Sequence, residues 1–86
     1  MTRNHRVHHV LKLSSLFWRD VFSEKKTFEI RRNDRDFQLD DTVSFQYVGA
    51  VTGELEGEPQ GNFVIKYITD FEQKEGFVVF AMRRLN

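Results

Sequence analysis

The alternation of apolar and polar residues predicts a chain made mostly of short β-strands. Residues 26–33 show this best: Phe28 and Ile30 lie on one side of an extended chain, Glu29 and Arg31 on the other. This parity predicts that Phe28 and Ile30 face a core and that Glu29 and Arg31 face outward. Strands are predicted at residues 7–13, 26–33, 42–48, 63–68 and 77–82, the last of them buried on both faces.

One amphipathic helix is predicted between the first two strands. Ser14 or Ser15 is a suitable N-cap, and apolar residues then recur at helical spacing through about residue 23. The residues of this stripe are Leu16, Phe17 and Val21, with Phe22 at its margin. We interpret Trp18, which lies beside the stripe, as a core or edge anchor rather than a base-stacking residue.

The remaining segments predict turns and loops. Residues 49–61 are rich in glycine and acidic residues and predict a loop or an irregular hairpin connection, and residues 69–75 predict a polar connection. The order β-α-β-β-β-β predicts a mainly β chain with one or two short helices, of the α+β class, curved into a small barrel with the helix at one end. We expect residues 1–86 to form a single domain in which residues 1–5 are disordered.

Composition narrows the class of protein. The chain has 86 residues and no cysteine, which excludes disulfides and thiolate chemistry, while twelve aromatic residues supply buried area to a small core. No apolar run approaches the roughly 20 residues that cross a bilayer. We therefore expect a cytoplasmic monomer without membrane contact.

The formal net charge of zero conceals an asymmetry along the chain. Residues 1–35 carry nine Lys and Arg against four Asp and Glu, and residues 36–86 carry four against nine. A neutral protein of this kind can present a basic face to a phosphate backbone or another anion. Alternatively, the two halves interleave in the fold and the charges cancel locally.

Lys26, Glu29 and Arg31 are the residues most suited to bind a ligand. If the first two strands are neighbours, His9 and Lys12 join them in one pocket. Such a pocket suits a nucleotide, because arginine binds phosphate and a carboxylate accepts from an exocyclic amine. The alternative is an ordinary surface Glu–Arg pair that contributes little energy.

Other chemistries lack a motif. The three histidines do not have zinc-ligand spacing, and neither a phosphate-binding glycine loop nor a nucleophile elbow is present. We therefore predict no metal and no cofactor, and we assign no catalytic residue.

The stretch from residue 24 to residue 37 resembles the signature of ASCH domains in the PUA-like superfamily, Gly-x-Lys-x-x-Glu-x-Arg. Its last three fixed positions are matched by Lys26, Glu29 and Arg31. Glu24 stands where the glycine is usual, and in the Gly-Asp pair that opens the next strand Asp40 replaces the glycine and Asp41 matches. The resemblance covers residues 9–82 and is closest to a small bacterial and phage branch of unknown function.

This resemblance implies a small PUA-like β-barrel whose cleft binds RNA or a nucleotide-like ligand. The residues expected to bind are His9, Lys12, Lys26, Glu29, Arg31, Arg32, Asn33 and Arg35. A hydrolase of modified nucleosides or RNA is one alternative, although the nucleophilic threonine of the group's acetylcytidine amidohydrolases aligns with Glu29. A protein-interaction module with a vestigial cleft is the other.

Overall fold

The structure, a computed structural model, describes residues 3–86. This part of the chain contains five strands and one helix. The elements are β1 His8–Ser14, α1 Ser15–Phe22, β2 Phe28–Arg32, β3 Thr42–Val48, β4 Leu55–Thr69 and β5 Phe77–Arg84. The strands form one mixed sheet in the order β1-β3-β4-β5-β2, in which only β1 and β3 are parallel. The prediction of a mainly β chain with a short helix is confirmed.

The sheet bends around its core without closing into a barrel. β1 and β2 are the two edges of the strand order, and no ladder joins them within residues 3–86. The edges nevertheless approach each other, because the Arg31 side chain on β2 donates to the backbone oxygen of Lys12 on β1 at 2.7 Å. The sheet is therefore curved and open, with a seam between β1 and β2, and the predicted closed barrel is not formed among the described residues.

The core fills the concave side of this sheet. Alternate residues of β1 and β5 are buried there, as expected for strands that are covered on one face. The buried hydrophobic residues are Leu11, Leu13, Val21, Phe37, Val43, Phe45, Phe63, Ile65, Val78, Phe80 and Met82. The residues between them on β5 are only half-buried, so the prediction of a last strand buried on both faces was wrong.

Helix α1 packs over one end of the sheet through a different stripe from the one predicted. Val21 is buried, and Trp18 stacks on Phe22 with ring centroids 4.5 Å apart, whereas Leu16 and Phe17 are exposed. The sequence holds apolar residues on more than one side of this helix, so spacing alone did not identify the buried side. Trp18 is a core anchor, as predicted. With eight residues, α1 is too short to cross a membrane.

Both ends of α1 are capped. Ser14 is the N-cap, and its hydroxyl accepts from Leu16 N at 3.1 Å. At the other end Glu24 N donates to Val21 O at 3.1 Å and Lys25 N donates to Asp20 O at 2.9 Å. These two bonds form the Schellman motif, which places Glu24 at the left-handed position with φ +63°.

Strand β4 begins eight residues earlier than the prediction of residues 63–68. Leu55 pairs with Val48 and Gln60 with Phe45, so most of the predicted loop is the outer half of a hairpin. Residues 55–60 are exposed and show no apolar alternation, because backbone pairing with β3 rather than burial holds them in the sheet. Of the two alternatives predicted for residues 49–61, the irregular hairpin is confirmed, and a loop without pairing is limited to the residues before Leu55.

Candidate ligand-binding cleft

The main candidate site is a cleft of about 410 Å³ at the seam between β1 and β2. β1 contributes residues 12–14, α1 contributes Phe17, and the remaining lining comes from Lys26 and residues 28–31. The cleft exists because the two edge strands approach each other without pairing. Its lining combines apolar side chains with four charged groups of the predicted site.

The structure reverses the predicted faces of β2. Glu29 is 4% exposed, whereas Phe28 and Ile30 are 44% and 53% exposed. Glu29 lies directly opposite Phe80 of β5, and residues opposite each other in a sheet share a face, which here is the core face. The predicted alternation was correct, but the prediction that Phe28 and Ile30 face the core was wrong. The periodicity of a strand separates its two faces but does not show which face packs against the core.

Glu29 holds Lys26 and Arg31 side by side. Lys26 Nζ donates to Glu29 Oε1 at 2.8 Å, and Arg31 Nε donates to Glu29 Oε2 at 3.0 Å. Burial of an isolated carboxylate is strongly unfavourable, so the ion pairs with these two cations allow Glu29 to lie on the core face. Two cations around one carboxylate leave one net positive charge in this group, and Lys12 adds a second to the lining of the cleft.

Lys26 and Arg31 keep donors for a ligand. Lys26 Nζ uses two of its three N–H groups, on Glu29 and on Phe28 O. Arg31 uses two of its five, on Glu29 and on Lys12 O. Among the contacts of residues 3–86, one donor of Lys26 and three of Arg31 remain, on side chains that are 21% and 24% exposed.

Arginine side chains bridge the seam where backbone pairing is absent. Arg31 Nη2 donates to Lys12 O at 2.7 Å, and Arg35 Nη1 donates to Val10 O at 3.0 Å. Both carbonyls belong to the free edge of β1, and a free edge is prone to pair with other chains. These bonds therefore protect the edge and fix the width of the cleft.

Two exposed aromatic rings border the charged group. Phe17 is 47% exposed, and the Lys26 ammonium lies 5.5 Å from the centre of its ring and 4.8 Å from that of Phe28. Aromatic faces next to cations can stack a planar base while the cations contact phosphate. The cleft thus presents both kinds of group that a nucleotide needs.

The structure brings together only part of the predicted binding set. Four members line the cleft: Lys12, Lys26, Glu29 and Arg31. Arg35 lies at the seam beside them. Arg32 instead lies over the ring of Phe77, at 4.9 Å, and Asn33 accepts from Phe37 N at 2.9 Å to close the turn after β2.

His9 does not line the cleft. Its side chain is buried on the core face of β1, where Nε2 lies 2.8 Å from Asp41 Oδ2 and the ring packs 4.7 Å from that of Phe37. The hypothesis that His9 and Lys26 share a pocket was wrong, because the His9 ring is held in the core by Asp41 and Phe37 and does not reach the cleft lining.

Asp41 is the second buried charge and was not identified as a structural centre from the sequence. It accepts from both Nη atoms of Arg3, at 3.1 and 2.6 Å, from His9, and from the backbone N–H groups of Val7 and Gln38, each at 3.0 Å. Burial alone raises the pKa of Asp41, but these hydrogen bonds outweigh it and hold the pKa well below the ordinary carboxyl value. No local pattern connects Asp41 to a residue 38 positions away.

Residues 3–6 and residues 37–41 enclose a larger cleft, of about 620 Å³, around this centre. Of the residues predicted to be disordered, Met1 and Thr2 lie outside the described part of the chain, and Arg3 has defined contacts. The guanidinium donates to Asp41, to His5 O and to Asp36 O, so its donors are already engaged. A ligand here would have to break a structural network, which makes this cleft the weaker candidate.

The described residues contain no group of three or more His, Asp or Glu side chains arranged to hold a metal ion.

Comparison with known proteins relates the chain to a protein family. No curated protein matches the chain. A family described as "Domain of unknown function (DUF3850)" matches it over residues 8–82, from the first residue of β1 into β5. The match includes every residue that lines the seam cleft. It extends over most of the chain, which therefore belongs to the DUF3850 family.

Proposed function

We propose that this protein is a cytoplasmic PUA-like module of the ASCH type that binds RNA or a nucleotide-like ligand in the seam cleft. The observation that carries the proposal is the Glu29 carboxylate, which holds Lys26 and Arg31 next to each other with unused donors at the cleft. A buried carboxylate that orients two cations is an arrangement suited to an anionic ligand.

The lining suggests how a nucleotide is held. Lys12 and Arg31 contact phosphate, and the exposed rings of Phe17 and Phe28 stack a base. Lys26, between the rings and the carboxylate, donates its remaining N–H to a base or sugar oxygen. Because both oxygens of Glu29 already accept hydrogen bonds, Glu29 positions the cations and is not expected to read a base.

Backbone conformation supports the resemblance to the ASCH signature. Glu24 and Asp40 occupy the two positions where that signature usually has glycine, and their φ angles are +63° and +72°. Left-handed φ is the conformation that glycine adopts most readily. The two substituted positions thus keep the backbone shape for which glycine is suited. The curved sheet, with its helix over one end, supports the PUA-like part of the proposal.

The hydrolase alternative has weaker support. Glu29 occupies the position aligned with the nucleophilic threonine, and its two oxygens are engaged by Lys26 and Arg31. The hydroxyl in the lining belongs to Ser14, which serves as the N-cap of α1. Incubation with acylated nucleosides tests this alternative, which gains support only if a deacylated product forms and disappears in Lys26→Ala.

Binding of fluorescently labelled single-stranded RNA, followed by anisotropy at several salt concentrations, tests the proposal. Lys26→Ala and Arg31→Ala are each expected to weaken binding about tenfold or more, since charge-assisted hydrogen bonds contribute roughly 1.5–3 kcal/mol. The matched control is Lys25→Ala, a neighbouring exposed lysine that does not line the cleft.

Affinity should also fall as salt increases, because phosphate contacts release counterions. Equal losses in Lys25→Ala and Lys26→Ala would indicate nonspecific attraction by surface charge. RNA binding that is absent, or indifferent to salt, would contradict the proposal.

A further inference from the structure

The outer face of β2, β5 and β4 carries exposed aromatic and aliphatic residues that the seam cleft does not use. The strand registers define its rows. In the first row Ala81 of β5 lies between Phe28 of β2 and Tyr67 of β4. In the second row Val79 of β5 lies between Ile30 of β2 and Thr69 of β4. Phe28, Ile30 and Tyr67 are 44%, 53% and 64% exposed. We call these two rows the outer platform.

Ala81 leaves a gap between two aromatic rings on this platform. Phe28 and Tyr67 are separated by two strand spacings, roughly 10 Å, and only the methyl group of Ala81 lies between them. Among residues 3–86, neither ring packs against another aromatic ring. The gap is therefore open and wide enough for a flat base to stack against either ring.

The charges around the platform are positive. Arg32 follows Ile30 on the outer face of β2, Arg83 follows Ala81 on that of β5, and the Lys26 ammonium lies over the Phe28 ring. The one carboxylate of these strand segments, Glu29, points to the core. The acidic residues nearby are Asp70, Glu72 and Glu75, in the turn beyond Thr69.

This distribution distinguishes between two occupants. In a symmetric dimer each cation of the patch would need a carboxylate of the other copy, and the acidic residues nearest to the two rows lie only in the turn beyond Thr69. A single-stranded polyanion instead brings negative phosphates to the cations and bases to the rings. Charge complementarity thus favours nucleic acid over a second copy.

Phe28 connects the platform to the seam cleft, because it lines the cleft and also starts the first row. We propose that single-stranded RNA held by one nucleotide in the cleft continues over Phe28, and that a following base stacks between Phe28 and Tyr67 above Ala81. This inference rests on the proposed function and extends it from a nucleotide pocket to a path for several nucleotides.

Calorimetric titration with adenosine monophosphate and with an adenylate octamer tests the inference. The octamer should bind the wild type more tightly than the mononucleotide. Tyr67→Ala is expected to reduce octamer affinity about fivefold or more, the effect of losing a base stack, and to leave mononucleotide affinity unchanged. Tyr67→Phe should retain octamer binding, and Ala81→Leu, which fills the gap, should reduce it as Tyr67→Ala does.

Phe71→Ala is the matched control, because Phe71 is 74% exposed but lies in the turn after β4.

Equal octamer affinity in Tyr67→Ala and the wild type would overturn the inference. That result would leave the proposed function intact, provided that Lys26→Ala still weakens mononucleotide binding. If the octamer binds through Tyr67 but the mononucleotide does not bind in the cleft, the result would support the outer platform as a binding surface and contradict the cleft as the proposed binding site. A wild-type dimer that Tyr67→Ala dissociates would show that a second copy covers this face and would overturn the inference.

Discussion

Gly61 shows how strongly one residue can constrain this small core. Its φ is +78°, and a Cβ at this position would lie 2.7 Å from the Phe22 ring and 2.8 Å from the Phe63 ring. Gly57 has a similar φ of +71°, but a Cβ there would meet nothing within 4 Å. The two glycines thus share one backbone conformation and differ in their surroundings.

Alanine at each glycine should therefore separate backbone strain from steric overlap. We expect Gly57→Ala to lower the free energy of unfolding by about 1 kcal/mol, because a left-handed φ disfavours a Cβ. Gly61→Ala should lower it by about 2 kcal/mol more, because the aromatic rings must move. Urea unfolding of both variants measures the difference. Equal losses of unfolding free energy in the two variants would mean that the rings of Phe22 and Phe63 move aside without an energetic penalty.

Glu24 offers the opposite test at the end of α1. It occupies the left-handed position of the Schellman motif with φ +63°, a position at which glycine is favoured. Glu24→Gly is expected to raise the free energy of unfolding by about 1 kcal/mol, because it relieves this strain.

Lys25→Gly is the control for Glu24→Gly, since Lys25 is the next residue and lacks a positive φ. It should give no gain, because glycine there only adds freedom to the unfolded chain. A thermal melt that shows Glu24→Gly to be no more stable than the wild type would argue against strain at this position.

At the scale of single elements, β2 and β4 define what the sequence could predict. The alternation in β2 correctly separated Glu29 and Arg31 from Phe28 and Ile30. It could not identify the inner face, because the long-range pairing with β5 decides that. In β4, residues 55–60 carry no pattern, since backbone pairing with β3 holds them.

The start of β3 is an element whose stability should depend on pH through Asp41. Its carboxylate joins residues 3–9 to the turn at Gln38, and its pKa is lowered by hydrogen bonds despite burial. Above about pH 4 the group is ionised in both the folded and the unfolded chain, and its stabilisation is complete. As pH falls below that value the unfolded chain takes up the proton first, so this stabilisation is lost.

Asp41→Asn should therefore lower the free energy of unfolding by about 3 kcal/mol near pH 7, because it leaves Arg3 and His9 without a charged partner. The difference from the wild type should shrink as pH falls from about 4 toward 2. Urea unfolding across this range measures it, with Asp40→Asn as the neighbouring exposed control. A difference that stays constant across this range would contradict the assigned role of Asp41.

At the scale of the whole molecule, the open seam organises the site. Lys26, Glu29 and Arg31 are close in the sequence, and the structure brings them to one cleft. Their partner across the seam, the Lys12 carbonyl, depends on how far the sheet bends, which no local pattern gives. For the same reason His9 was placed with Lys26, although the bend and the strand parity put it beside Asp41.

The charge asymmetry along the chain is partly compensated locally in the fold. Arg3, from the basic half, pairs with Asp36 and Asp41 of the acidic half. Lys26 and Arg31 pair within the basic half, with Glu29. Six basic residues of the first 35 remain exposed without an ion pair among the described residues: Arg6, Lys12, Arg19, Lys25, Arg32 and Arg35. Lys12, Arg31 and Arg35 bring part of this positive charge to the seam.

Backbone amide chemical shifts of the isotope-labelled protein, followed while a short single-stranded RNA is added, test the central claim most directly. If the seam between β1 and β2 is the binding site, the largest shifts will fall on residues 12–17 and 26–31, and Lys26→Ala will require about tenfold more RNA to reach them. Shifts confined to residues 3–6 and 37–41, or no shifts at all, would contradict a ligand site built on Lys26, Glu29 and Arg31.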